Sequence, residues 1–204
     1  MKSDFPELNA SHLSNAKLYA RREDLVADLG LAVHPCVAEV GVALWTFSKQ
    51  LIQTLKPSSF HGLDTFMLHN EAELWGQKTS DVLLGMTHAD FYRHTMKDQP
   101  TIVSVREGPS QQTLPQYPDG YFDMIYVDAE HTYDEVKADA EVAARKVKAD
   151  GVLVFNDYLF YDPFVKAEYG IVPVVNEMVA NQGWKVIGFA LQKHMFCDIA
   201  IRRG

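Results

Sequence analysis

The sequence predicts an α/β protein whose core is a doubly wound, mostly parallel sheet, and three observations predict it. Short apolar runs alternate with amphipathic stretches along the chain, polar residues follow each apolar run, and the last two runs are separated by only three residues. The alternation calls for parallel βα units. The short final link calls for an antiparallel pair, because a parallel crossover takes a dozen residues or more.

Each element follows in order. Leu13, Ala16, Leu18, Ala20, Leu25, Val26 and Leu29 lie near helical spacing, so residues from about 11 to 29 read as a leading helix that stops at Gly30. Residues 36–42 form a buried first strand, and a helical pattern from Thr46 to Leu55 ends before Pro57. Residues 60–64 are a second strand, followed by a long helical region over roughly 70–96. Strands three, four and five fall at 101–106, 122–127 and 152–155, with an amphipathic helix over about 133–148. Thr132 and Glu135 carry capping-box spacing at its start. Pro173 opens a further helix with Val174, Val175, Met178 and Val179 on its apolar side. Residues 184–191 and 195–201 close the sheet as a hairpin through Gln192, Lys193 and His194. The count is seven strands in a single domain, 1–204, made of a leading segment (1–33) and a core (36–201).

Composition narrows the function classes. With 204 residues and 47% hydrophobic content the chain can bury a full core. A net charge of -8, with Lys and Arg spread along the sequence, argues against nucleic acid as a partner. No run approaches the roughly 18 apolar residues of a membrane span, and residues 1–6 do not form the apolar stretch of a secretory signal. The expected location is the cytoplasm, with Cys36 and Cys197 as reduced thiols. Exposed apolar faces on the leading helix leave room for a homodimer.

Ligands of open α/β sheets bind outside the carboxyl ends of the strands, so the residues just after each strand carry the functional reading. Glu39 and Gly41 follow the first strand, Asp64 the second, Gly108 to Ser110 the third, Asp128, Glu130 and His131 the fourth, and Asn156 and Asp157 the fifth. A glycine at the first turn admits a ligand to the backbone, and an acid after the second strand can accept hydrogen bonds from ribose hydroxyls. Gly41 also fits an ordinary turn, and Asp64 a helix cap. Together they suggest a nucleoside, and the lack of G-x-G-x-x-G disfavours a dinucleotide. Asp128, Asn156 and Asp157 offer oxygen ligands for a hard cation such as Mg²⁺, with Glu130 or His131 as proton acceptor. The same residue types also cap helices and form Asx turns.

At these positions the chain resembles class I S-adenosylmethionine-dependent methyltransferases, especially the metal-dependent small-molecule O-methyltransferases of the macrocin and sugar type. The carrying strings are residues 38–42, 122–133, 147–158 and 169–177, and the resemblance runs from about 36 to 201. It implies a Rossmann-like sheet that binds S-adenosylmethionine. Glu39 and Gly41 would border the methionine end, Asp64 the ribose, and Gly108 to Ser110 the adenine. Asp128, Asn156 and Asp157 would hold Mg²⁺, and Glu130 would act as base with His131 packing or orienting it. Trp45 departs from the family's small residue in the first loop and would crowd or line the methionine end. The implied reaction is methyl transfer to a hydroxyl oxygen of a small molecule. Alternatives are metal-independent N- or C-methylation, a nucleotide-dependent oxidoreductase, or a noncatalytic binding protein.

Overall fold

The computed structural model describes residues 4–204. The chain enters through an edge strand, β1 (Lys17–Tyr19), and a short helix, α1 (Arg22–Ala27). The alternating core begins with β2 (Cys36–Val40), α2 (Thr46–Leu55) and β3 (Ser59–Asp64). A small hairpin of β4 (Glu73–Leu74) and β5 (Gln77–Lys78) precedes α3 (Thr79–Val82) and α4 (His88–Met96). Next come β6 (Ile102–Glu107), α5 (Ser110–Thr113), β7 (Phe122–Val127), α6 (Tyr133–Lys146) and β8 (Val147–Phe155). A second hairpin, β9 (Tyr161–Asp162) and β10 (Ala167–Glu168), leads to α7 (Ile171–Asn181), β11 (Trp184–Ala190) and β12 (Asp198–Arg203).

The main sheet has the order β1-β11-β12-β8-β7-β2-β3-β6. From β8 to β6 every pair is parallel, and β12 runs antiparallel to both neighbours. Strand order reverses at β2, which has β3 on one side and β7 on the other, so a crevice opens at its carboxyl end. The period-two alternation of side chains explains the two layers of core. Leu153 and Phe155 pack on the α6 and α7 face, while Val152 and Val154 pack with Leu25, Phe47 and Leu51 on the other. Large side chains buried this completely each contribute about 1.5–3 kcal/mol.

The doubly wound architecture with its closing antiparallel pair matches the sequence reading, with eight strands instead of seven. The extra strand lies where a leading helix was expected. Lys17–Tyr19 pairs in parallel with Gly188–Ala190, and Tyr19 and Ala20 carbonyls accept from Leu191 and Gln192 amides, both at 3.0 Å. The open edge of β11 supplies donors that a local helix cannot outcompete. Only Arg22–Ala27 remains helical, with Leu25 and Val26 buried against the sheet, while Leu13 and Leu18 of the expected helix stand exposed outside it.

The helical region over 70–96 is also divided. Gly76 and Gly85 adopt left-handed backbone angles, φ +78° and +72°, and Thr87 restarts α4 by accepting the Asp90 amide at 3.2 Å. The Thr132 hydroxyl donates to the Glu135 carboxylate instead of receiving a backbone amide, so the expected capping box closes between side chains. The link between β11 and β12 takes a 3₁₀ turn over Lys193–Met195, and β12 starts at Asp198, three residues later than the apolar run suggests. Helix α7 begins at Ile171 and carries Pro173 in its first turn, where a missing amide costs little. Among the described residues, no helix is long and apolar enough to cross a membrane.

Candidate active site

The ends of the five parallel strands β6, β3, β2, β7 and β8 are stitched into one rim. The Gly41 amide donates to the Leu63 carbonyl at 2.8 Å, Asp128 to Val40 at 2.7 Å, Gly108 to Asp64 at 2.9 Å and Asn156 to Val127 at 3.0 Å. Gly41 has φ +83°, and a Cβ there would drive into the Asp128 carbonyl. The glycine is thus required twice, by conformation and by close approach. In front of this rim lies a cavity of about 550 Å³, bordered by Gly41, Ala43, Asp64, Gly108, Ser110 and Asp128. Such a volume suits a nucleoside-sized ligand.

Asp64 ties two loops together. Oδ2 accepts the Val42 amide at 2.9 Å, and Oδ1 accepts the Phe66 amide at 2.7 Å and the Thr65 hydroxyl at 3.4 Å, which leaves a lone pair on Oδ2. Across the cavity, Ser110 and Gln111 both donate to Oδ1 of Asp139, on α6. Asp139 is 1% exposed, and burial pushes its carboxyl up to about 6 despite those donors.

Glu39 does not line the cavity. It is buried beneath the rim, where it accepts the Ser48 hydroxyl of α2, and burial raises its carboxyl well above the usual range. Trp45 also turns away. Its ring packs near Leu74, Leu83 and Phe91 with the Lys49 ammonium 4.1 Å from its centre, so the feared crowding of the first loop is absent.

The acidic end of the rim brings Asp128, His131 and Asp157 together, with one potential ligand atom from each within 4.8 Å of the others. His131 Nε2 lies 3.3 Å from Asp157 Oδ2, and its ring packs 4.2 Å from that of Tyr169. Burial pulls His131 down, but Asp157 with Asp128 and Glu130 outweighs it and holds the imidazole above its ordinary value. Burial and then the Asp157 charge push Asp128 up to about 7. Asn156, expected as a ligand, lies directly against Asp128. Its amide nitrogen donates to Asp128 Oδ1 at 2.9 Å, and its oxygen faces the Tyr126 hydroxyl at 3.4 Å. Glu130 is exposed on the cavity wall.

Behind these residues runs a buried relay. Arg22 Nη1 donates to the Tyr126 hydroxyl at 3.2 Å, and Tyr126 donates to Asp198 Oδ2 at 2.6 Å. Asp198 is fully buried and its carboxyl rises to about 8, chiefly through burial. The sequence reading brought Gly41, Asp64, Gly108, Ser110, Asp128 and Glu130 to one cavity, with His131 and Asp157 beside it. It missed Asp139, Arg22, Tyr126 and Asp198. Asp139 had a signal, since it is a carboxylate between Val136 and Ala140 on the apolar stripe of α6.

The segment after β8 is pinned at both ends. Asp157 takes a left-handed φ of +53°, and the Tyr158 amide donates to Cys197 at 2.7 Å. At the far end the Gly170 amide donates to the His131 carbonyl at 2.6 Å, and a side chain there would collide with Tyr133.

A family profile described as a methyltransferase domain matches residues 38–158, more than half of the chain. Among solved structures the chain is similar to the O-methyltransferase from Bacillus cereus in complex with SAH, at 18% identity and TM-score 0.59, over 95% of this chain and 86% of that one. It is similar to an O-methyltransferase family protein from Burkholderia thailandensis, at 14% identity and TM-score 0.61, over 90% of this chain and 55% of that one. The tRNA methyltransferase TrmK of B. subtilis aligns at 12% identity and TM-score 0.59, over 91% of this chain and 66% of its own. The chain therefore spans less than two thirds of the last two proteins. At such identities the likeness is one of fold. No curated protein matches the sequence.

Proposed function

The chain belongs to the methyltransferase-domain family, and from that premise we propose that it moves the methyl group of S-adenosylmethionine to a hydroxyl oxygen of a small molecule. The observation that carries this reading is the convergence of Gly41, Asp64 and Asp128 on one cavity at the reversal of strand order. Gly41 and Ala43 border the methionine end of the donor. Asp64 offers its carboxylate to the ribose hydroxyls. Gly108, Ser110 and Gln111, backed by Asp139, flank the purine, while Glu39 supports the rim from beneath.

The reaction is an in-line displacement at a sulfonium methyl, so it depends on alignment and on a deprotonated acceptor. Glu130 faces the cavity and takes the acceptor's proton. His131, held by Asp157, steadies the same end of the rim. The arrangement fits a divalent cation: Asp128, His131 and Asp157 would hold it, with Asn156 orienting Asp128. Two carboxylates suit Mg²⁺ or Mn²⁺, and the imidazole widens the choice toward softer ions. Such an ion, when bound, polarises the acceptor hydroxyl and lowers its pKa.

The test is calorimetry with S-adenosylhomocysteine, followed by methyl transfer from labelled S-adenosylmethionine to a panel of hydroxyl acceptors with and without EDTA. Binding with EDTA-sensitive O-methylation supports the reading. Undiminished turnover after chelation removes the metal and returns the metal-free N- or C-methylation alternative. Absence of donor binding overturns the proposal altogether.

A further inference from the structure

One backbone conformation beside the cavity is out of keeping with its residue. Ala43 borders the cavity with a left-handed φ of +46°, a region that glycine enters freely and alanine rarely does. Such a conformation persists only where the surroundings over-determine it. The two residues before it are tied through their amides, Gly41 to the Leu63 carbonyl at 2.8 Å and Val42 to Asp64 at 2.9 Å. Ala43 is tied through its carbonyl, which accepts from Nε2 of His88, the first residue of α4. His88 is fully buried, and its Nδ1 has no hydrogen-bond partner among the described residues, so the ring's one polar commitment is the proton that Nε2 gives to Ala43. An apolar side chain would fill the same space without an orphaned nitrogen. The ring also packs 4.9 Å from that of Phe66, whose amide donates to Asp64. One imidazole therefore backs both loops that frame the cavity, the one after β2 and the one after β3.

We propose that His88 is a positioning residue for the donor: it holds Ala43 in the left-handed conformation and so fixes the loop after β2 at the methionine end. The inference rests on the donor reading given above. His88 acts through the Ala43 carbonyl and not by touching the ligand. A glycine at position 43 adopts the same backbone unaided, so the need for the imidazole and the left-handed alanine are two halves of one arrangement. The dependence on His88 is therefore conditional on Ala43.

The experiment is calorimetry with S-adenosylhomocysteine on the full chain and on variants shown to be folded by circular dichroism. His88→Leu, which fills the space and loses the donor, is expected to raise Kd on the order of tenfold. His88→Gln, whose amide nitrogen can stand in for Nε2, recovers most of that loss. In the Ala43→Gly background the same His88→Leu change raises Kd by less than about threefold, a coupling that a packing role does not produce. Should His88→Leu fail to fold, His88→Asn, whose shorter amide leaves the Ala43 carbonyl unreached, takes its place with the same expected outcomes. Equal losses in the two backgrounds, or Gln no better than the variant that lacks the donor, overturn the positioning role while leaving the donor reading intact. Failure of the native protein to bind S-adenosylhomocysteine overturns the donor reading, and this inference with it.

Discussion

Replacing Asp64 with asparagine changes one atom's chemistry and almost no volume, which makes it the sharpest probe of the cavity. In the native protein each oxygen of this carboxylate accepts one backbone amide, from Val42 at 2.9 Å and Phe66 at 2.7 Å. Asparagine keeps one acceptor and turns an NH₂ group toward the other amide, so a donor faces a donor. A hydrogen bond to a charged group is worth about 1.5–3 kcal/mol, and leaving a buried amide unpaired costs a similar amount. Asp64 is only half-buried and water can reach the gap, so the expected loss of stability is about 1–2 kcal/mol. Donor binding suffers more, because the ribose hydroxyls then meet one neutral acceptor in place of two charged ones. A loss of about 2–3 kcal/mol corresponds to a roughly 30- to 150-fold rise in Kd. Urea denaturation reads the first quantity and calorimetry with S-adenosylhomocysteine, on protein shown to be folded by circular dichroism, reads the second. A variant with reduced stability but a Kd within threefold of native refutes the reasoning, since Asp64 would then be a strut between loops and nothing more.

Further perturbations follow from the same geometry. Gly41→Ala puts a methyl group into the Asp128 carbonyl at a φ of +83°, so it should cost at least about 1–2 kcal/mol in urea denaturation and abolish S-adenosylhomocysteine binding by calorimetry. Trp45→Ala removes a ring that packs outside the cavity. It should lower the melting temperature while leaving the Kd for S-adenosylhomocysteine within about twofold, and a tenfold loss would return the ring to the donor site. Asp139, Asp128 and Asp198 have folded-state values raised to about 6, 7 and 8. Their contribution to stability is complete at pH values below the ordinary carboxyl range and is lost as pH rises through those values, at up to about 1.4 kcal/mol per pH unit for each group within its window. Urea midpoints of the ligand-free protein should therefore fall between pH 5 and pH 9, and Asp198→Asn should flatten the upper part of that decline.

The parts of the fold that were legible are those whose pattern is local. Helix α2 begins and ends where Thr46, Leu55 and Pro57 say it should, and β7 occupies the predicted 122–127. The polar residues at the strand tips converge because topology alone carries them to one edge. What escaped depends on partners distant in sequence. Lys17–Tyr19 is a strand only because β11 offers it an edge some 170 residues later, as the pairing of Lys17 with Gly188 shows. The direction of Trp45 is set by Leu74, Leu83 and Phe91, and the role of Asn156 by Tyr126 and Asp128. Arg22 gave no signal at all, because nothing in its own neighbourhood announces a relay through Tyr126 to Asp198.

The doubly pinned stretch between Asp157 and Gly170 has an evolutionary consequence. Its anchors, the Tyr158 amide on Cys197 and the Gly170 amide on His131, belong to the scaffold, and Tyr158, Leu159 and Tyr169 pack against the core, while Tyr161, Phe164 and Val165 stand exposed at the tip. Lengthening such a loop is cheap, since each doubling adds only about 0.6 kcal/mol of closure entropy. The tip of this hairpin can therefore change length and contour, like an interchangeable visor, without disturbing the rim that frames the cavity.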